Sequence, residues 1–443
     1  MQVPQAVAYA VQQLNTAGFE AYPVGGCVRD LLRGLQPHDW DITTSATPDE
    51  MMAVFAGERL IPTGLQHGTV TLLKDGLPLE ITTFRIDGAY ADGRHPESVT
   101  FSRSLTEDLA RRDFTVNAMA LDLKNGVVDL FFGENDLQGK IIRCVGDPDK
   151  RFDEDALRVL RALRFSAVLG FTIEPETAAA IHRHKEHLQA VSAERITEEM
   201  TKLLCGKHVG NVLREFRDVL AFLVPEISPL IGFEQHSPYH IYDIFEHTVR
   251  ALDAVKPEPC LRWAMLLHDI GKVKCFTLDK DGIGHFFGHA SHSKRMAETI
   301  LKRFRMSNKQ SERILTLVKY HDLPIPPDEV LLAKRLNKFG QEILLQLLEL
   351  QDADCAAQAP KLTEARQAEH RQVRGMIAQL CGEGRCYSLR DLAISGDELL
   401  SLGVPAGPAV GKLLHELLNA VMENRVANEK NALLEQAKKM ASL

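Results

Sequence analysis

Two carboxylates one residue apart, Asp39 and Asp41 on either side of Trp40, follow closely behind Val24-Gly25-Gly26-Cys27-Val28-Arg29-Asp30. Side chains alternate along an extended chain, so on a strand the two acids share one face while Trp40 and Ile42 take the other. Adjacent carboxylates repel, and a cation between them keeps both ionised. A hard divalent ion such as Mg²⁺ suits oxygen ligands and also binds phosphates. Gly25-Gly26 lets backbone N–H groups come close to a phosphate, and a helix start just after it favours the anion. Together these parts describe metal-dependent transfer of a nucleotidyl group.

The elements that must position them read as a strand (Ala21 to Val24), a glycine turn, a short helix (Val28 to Leu32) and a second strand (Trp40 to Thr44). Pro4 to Ala17 has the periodicity of an amphipathic helix leading into the first strand. Asp75-Gly76 between Thr69–Lys74 and Leu77–Phe84, and Asn125-Gly126 between Ala118–Lys124 and Val127–Phe132, are hairpin signals. On the strand ending at Phe84, Glu80 shares a face with Thr82 and could supply a third carboxylate beside the aspartates. After about Gly146 helical periodicity takes over, with prolines 225, 229, 238, 324, 326 and 327 as punctuation. The expected fold class is α+β: a mixed head followed by an all-α remainder.

A chain of 443 residues, 45% of them hydrophobic, has the material for about two to four domains. No apolar run approaches a membrane span, and the N-terminus lacks the regions of a signal peptide. The eight cysteines include no CxxC pair, the nearest two being Cys381 and Cys386, so free thiols in a cytoplasmic protein are expected. A net charge of −8 excludes a broadly basic nucleic-acid coat but is compatible with a local positive surface for RNA.

The run GGCVRDLLRG…HDWDITT resembles the opening motif of class II tRNA nucleotidyltransferases and bacterial poly(A) polymerases, within the superfamily shared with DNA polymerase beta. Arg111-Arg112-Asp113-Phe114-Thr115-Val116-Asn117-Ala118, read as a helix start, resembles the second motif; arginine forks suit phosphates, and Asp113 or Asn117 suits ribose hydroxyls. Asp129-Leu130-Phe131, Gly133 and Leu137 resemble a third motif that joins domains. The Gly- and Asp-rich stretch between Arg85 and Thr100 reads as a mobile loop, which in the family implies addition of the final A as well as both Cs.

Glu154 to Phe165 has the pattern of one amphipathic helix, with Arg158, Arg161 and Arg164 forming a basic stripe and Asp155 and Arg158 as surface neighbours. An Asp accepts from an exocyclic amine and an Arg donates to a ring nitrogen or carbonyl, so such a pair can mimic a Watson–Crick edge. Resemblance to the EDxxR motif implies that Asp155 and Arg158 select CTP and then ATP without a template. The catalytic acids so implied are Asp39, Asp41 and Glu80. Gly25, Gly26, Arg29, Arg112, Asp113, Asn117, Asp155, Arg158, Arg161 and Arg164 would bind the nucleotide. Ser192 to Glu199 resembles the next motif, expected to pack near the site.

His247, His268-Asp269 at the end of the apolar run Leu261–Leu267, His289, His321 and Asp354 supply imidazoles and carboxylates from several helices, as a transition-metal phosphohydrolase requires. LLHDIGK resembles the HD phosphohydrolase superfamily. That resemblance makes His247, His268, Asp269 and Asp354 the core ligands of a divalent metal of open identity. His289 and His321 would serve a second metal, with His292 and Asp352 as competing choices. A phosphatase or 2′,3′-cyclic phosphodiesterase activity is implied. Gly403 to Gly411, before a helix expected from Lys412, resembles the family tail that anchors a tRNA elbow.

Resemblance over essentially the whole chain implies a polymerase-beta-type nucleotidyltransferase head (1–146), a helical neck (147–205), a body with the HD domain (206–380) and a tail (381–443). It further implies a cytoplasmic, monomeric or homodimeric CCA-adding enzyme acting on tRNA with CTP, ATP and Mg²⁺. A poly(A) polymerase, or a metal phosphohydrolase with an RNA-binding head, is the alternative.

Overall fold

Helix α1 (Gln5–Thr16) forms where Ala6, Val7, Ala10, Val11 and Leu14 recur at helical spacing, and all five are buried. A computed structural model describes residues 2–87, 99–383 and 385–441. Contacts divide the chain into two compact units, Met1–Pro225 and Glu226–Leu443.

In the first unit, β1 (Ala21–Pro23), α2 (Gly26–Leu32), β2 (Trp40–Thr44), α3 (Pro48–Val54), β3 (Arg59–Gly64), β4 (Thr69–Lys74) and β5 (Leu77–Thr83) follow α1. The five strands form one sheet in the order β1-β2-β5-β4-β3. β2 and β5 are parallel, and the other pairs are antiparallel. Trp40, Ile42, Leu72, Leu79 and Ile81 pack with Met51, Phe55 and the buried face of α1 into one core. That burial fixes the register, because a slip of one residue would turn these side chains outward.

The β4–β5 turn is as expected: Asp75 (φ 51°) and Gly76 (φ 79°) both take positive φ, as a two-residue primed turn requires. The second hairpin differs. β6 (Arg85–Asp87) pairs with β7 (Val99–Phe101), and after α4 (Leu105–Ala110) come β8 (Met119–Asp122) and β9 (Gly126–Asp129). Gly126 pairs with Asp122, so the loop holds three residues, closed by Lys124 and Asn125 N–H groups donating to Asp122 Oδ1 at 2.7 and 3.1 Å. Asn125-Gly126 is therefore not the turn; the Asp122 side chain sets it. The mobile loop expected between Arg85 and Thr100 falls largely on residues 88–98, which lie outside the described residues.

α5 (Gly133–Gly139) is capped by Asp129, which accepts from the Gly133 and Glu134 N–H groups at 2.9 Å each. A Cβ at Gly133 would lie 2.3 Å from Thr115 O, so glycine is required for this approach. α6 (Pro148–Glu154) and α7 (Leu157–Leu169) are separate helices, which corrects the single helix expected from Glu154. Asp155 between them is extended (φ −146°, ψ 103°), and its carboxylate accepts from Leu157 N–H at 3.0 Å, as a residue before a helix does. A parallel pair, β10 (Ile141–Ile142) with β11 (Thr172–Ile173), interrupts the helical remainder. α8 (Pro175–His184), α9 (Ala193–Leu204), α10 (Val209–Glu215) and α11 (Arg217–Leu223) complete the unit.

The second unit is helical apart from β12 (Thr277–Leu278) and β13 (Gly284–His285). Its helices are α12 (Ile244–Ala254), α13 (Pro259–Leu267), α14 (Lys272–Cys275), α15 (His289–Arg303), α16 (Asn308–Tyr320), α17 (Glu329–Ala356), α18 (Pro360–Gly382), α19 (Gly396–Ser401), α20 (Pro408–Met422) and α21 (Lys430–Ala441). Seven successive residues of α13, Leu261 to Leu267, are buried, and Trp263 meets Phe304 edge to face at 5.2 Å. α17 is two helical segments joined at Gly340 (φ 73°, ψ 164°). α20 starts at Pro408 rather than Lys412, because proline's fixed φ and missing N–H suit a first helical position. All eight cysteines are free, and no helix among the described residues is long and apolar enough to cross a membrane.

Candidate nucleotidyl-transfer and metal sites

The parallel register of β2 and β5 sets Asp41 directly beside Glu80, and Asp39 lies just ahead of β2. Trp40 and Ile42 point into the core while Asp39, Asp41 and Glu80 are exposed, so the expected alternation holds. Partial desolvation, followed by the Glu80 charge, raises the Asp41 carboxyl above its usual range; Asp39 adds to this and Arg112 opposes it. Three crowded carboxylates form a donor set that suits a hard divalent cation. Their oxygens are not among the described clusters whose ligand atoms all lie within 4.8 Å of one another.

Two residues along β2 from Asp41, on the same face, Thr43 donates to Asp108 Oδ2 at 3.0 Å. Fully buried Asp108 also holds Arg111 at 2.7 Å and Arg112 at 3.3 Å. Against its desolvation, the two guanidinium groups keep its carboxyl below the usual range. Arg112 thereby lies over the glycine turn, where a Cβ at Gly25 would come 3.0 Å from its Nη1. Two expectations are corrected here. The Arg-Arg-Asp segment ends α4 rather than starting a helix. Gly25 N–H, expected to face a phosphate, instead donates to Met119 O at 3.1 Å.

Arg29 is held bidentately by Asp30 at 3.0 Å and donates from Nη1 to Asn117 Oδ1 at 2.7 Å. Asn117 donates to Asp113, whose other oxygen accepts from Arg161 Nε at 2.8 Å. Although desolvation opposes it, the Arg161 guanidinium pulls buried Asp113 down to about 2. Asp113 therefore joins the head to α7. Arg164 pairs with Glu199 of α9 at 2.9 Å.

Asp155 and Arg158 are not neighbours on a helix face. Asp155 pairs with Arg195 of α9 at 2.8 Å. Arg158 donates to Glu154 at 2.6 Å and to the carbonyls of Arg151 and Arg111 at 3.1 and 2.9 Å. The motif expected to pack near the site thus supplies two charged partners, Arg195 and Glu199. Sequence reasoning missed them along with Asp108 and Thr43; only Thr43, on the Asp41 face, left a readable signal.

In the second unit all six residues expected at a metal centre converge. His247, His268, Asp269 and Asp354 form one set with ligand atoms within 4.8 Å, and Asp269, His289 and His321 form another. Asp269 belongs to both: Oδ2 lies 3.1 Å from His268 Nε2, and Oδ1 lies 3.4 and 3.7 Å from His289 and His321. Each histidine turns Nδ1 to a backbone carbonyl, of Ala357, Met265, Phe286 and Val318 respectively, at 2.7–3.2 Å. These contacts turn each Nε2 towards the carboxylates at the centre of the cluster. His268 Nε2 and both Asp269 oxygens are buried without a hydrogen bond, Lys272 Nζ meeting Oδ2 as an ion pair at 2.6 Å. Against desolvation, Asp269 and Asp354 push His268 up to about 10. The competing choices fall outside: His292 meets Arg295, and Asp352 holds His370 and Arg374. Lys272, His289, His321, Gln358 and Arg366 line a cavity of 830 Å³ at this centre.

In-register acids on a mixed sheet beside an arginine-covered glycine turn define a polymerase-beta-type nucleotidyltransferase head. Residues 21–143 match a family described as "Poly A polymerase head domain", 170–231 match "Probable RNA and SrmB- binding site of polymerase A", and 277–437 match "tRNA nucleotidyltransferase domain 2 putative". The CCA-adding enzyme of Limosilactobacillus fermentum is 36% identical over 431 residues, 96% of this chain and 94% of that protein. That of Lactobacillus johnsonii is 35% identical over 428 residues, 96% and 94% of the two chains. The crystal structure of the Bacillus stearothermophilus CCA-adding enzyme with CTP aligns at a TM-score of 0.77 and 32% identity, covering 100% of this chain and 98% of that one. The chain belongs to the CCA-adding enzyme family of nucleotidyltransferases.

Proposed function

We propose that this chain adds C, C and A to the 3′ end of tRNA, taking CTP and ATP and releasing pyrophosphate. The observation that carries the reading is the register that places Asp41 beside Glu80, with Asp39 adjacent and Arg112 over the glycine turn. Asp39 and Asp41, with Glu80 alongside, fit Mg²⁺, which when bound would activate the 3′-hydroxyl and neutralise triphosphate charge. Arg112 and Arg29 face the phosphates across Gly25-Gly26, and Asn117 and Asp113 orient the ribose. Asp155, aimed by Arg195, and Arg158, aimed by Glu154, read the base edge; Arg161 and Arg164 hold the helix that carries Arg158. The protein's part is mainly positioning and charge compensation. Full-length relatives that are CCA-adding enzymes favour this reading over a poly(A) polymerase. Incubation of the purified chain with CCA-less tRNA and each NTP tests it: fixed-length C, C, A addition is expected, and an A-only ladder rejects it.

The convergence of four oriented imidazoles on Asp269 favours a second activity, hydrolysis of phosphate monoesters or 2′,3′-cyclic phosphates by a divalent metal held on the HD residues. Metal-dependent hydrolysis lost in His268→Ala supports it; hydrolysis unchanged in that variant removes it. If Asp39→Ala left the principal activity intact, the head would be an RNA-binding module instead.

A further inference from the structure

Apart from both sites, Asp153 of α6, His184 ending α8 and His187 in the 3₁₀ turn Lys185–Ala190 bring three ligand atoms to one point. His184 Nδ1 and His187 Nδ1 lie 3.2 and 3.4 Å from the same Asp153 oxygen, and 3.4 Å from each other. These separations are close to the donor spacing of a tetrahedral ion. Donors of a tetrahedral Zn²⁺ at its usual bond lengths stand about 3.3–3.4 Å apart. The edge of an octahedral Mg²⁺ shell is only about 2.9–3.0 Å. Two imidazole donors also favour a transition metal over a hard cation.

A second observation concerns orientation. His184 Nε2 meets Asp149 Oδ1 at 2.8 Å, and Arg183 grips both Asp149 oxygens at 2.7 and 2.8 Å. That contact turns Nδ1 of the same ring towards the Asp153 carboxylate. A carboxylate behind the far nitrogen is the support that metal-bound histidines use.

We propose that Asp153, His184 and His187 form a mononuclear site for a transition-metal dication of the Zn²⁺ class, with water completing its shell. Asp153 stands two residues before Asp155, so occupancy ties the end of α6, and the α6–α7 break, to α8.

The test uses the full chain, stripped of metal and titrated with Co²⁺ as a spectroscopic substitute. Beyond the cobalt taken up by the HD residues, one further equivalent should give an added visible absorption of low-coordinate cobalt. That signal should vanish in His187→Ala and in Asp153→Asn, and persist in His321→Ala, which alters only the other centre. Asp149→Asn should keep the spectrum while weakening affinity by about 10–100-fold. An unchanged signal in both His187→Ala and Asp153→Asn, or its loss in His321→Ala alone, overturns the proposal.

Discussion

Replacing Asp41 by Asn keeps its size and removes one of three mutually repelling charges. Nucleotide addition should fall by about a thousandfold or more, the value of several kcal/mol of metal-assisted stabilisation. The melting temperature should hold or rise, because the lost charge was disfavoured by desolvation and by Glu80. Steady-state kinetics beside a melting curve separates that outcome from misfolding. Arg195→Ala predicts a different signature: Asp155 keeps only its Leu157 N–H contact and is less firmly aimed, and discrimination between CTP and UTP should drop roughly 10–100-fold in kcat/KM. At this scale the sequence was legible wherever strand alternation decides, as for Asp41 and Glu80. It was not legible where a partner lies far along the chain, as Arg195 does from Asp155. His289 and Asp354, preferred over His292 and Asp352 on the HD resemblance, are the pair that the helices bring to the centre.

The contact of Asp113 with Arg161 joins the head to α7, and its strength is readable in acid. The folded carboxyl titrates at about 2, below the ordinary 3.8 of an aspartate, so its contribution is complete above about pH 4 and is lost as pH falls towards 2. Asp113→Asn should lower stability at neutral pH by about 2 kcal/mol and flatten the stability profile in that acid window. Denaturant midpoints measured across pH check it. In α17, Gly340→Ala should destabilise by about 1–3 kcal/mol through torsion alone. Nothing lies within 4 Å of the added Cβ, so a serine there should cost as much as an alanine. Elements with strong periodicity, such as α1 and β2, were plain in the sequence. The α6–α7 break was not, since Asp155 as a cap and Asp155 within a helix read alike until the backbone turns. The Asp122-closed loop escaped for the same reason: a side-chain bond overrode a familiar dipeptide.

Two compact units, each with its own buried apolar residues and its own candidate metal-binding acids, should respond separately to ligands. Adding a divalent metal at a hundred times its dissociation constant should stabilise the second unit by about 2.7 kcal/mol. Calorimetry should show the second unit's transition shifted, and His268→Ala should abolish that shift while leaving the first unit's response in place. The plan of a mixed head before a helical remainder was visible in the change of hydrophobic period. The division at Pro225 was not, because helices continue on both sides and no shift in composition marks it. The pairing of Asp41 with Glu80 also constrains how relatives can vary in length. An insertion at the Asp75-Gly76 tip leaves both strands aligned, whereas one inside β5 ahead of Glu80 brings a core-facing neighbour opposite Asp41. Indels in this hairpin are therefore tolerable only at its apex, and a variant lengthened there should still fold and react.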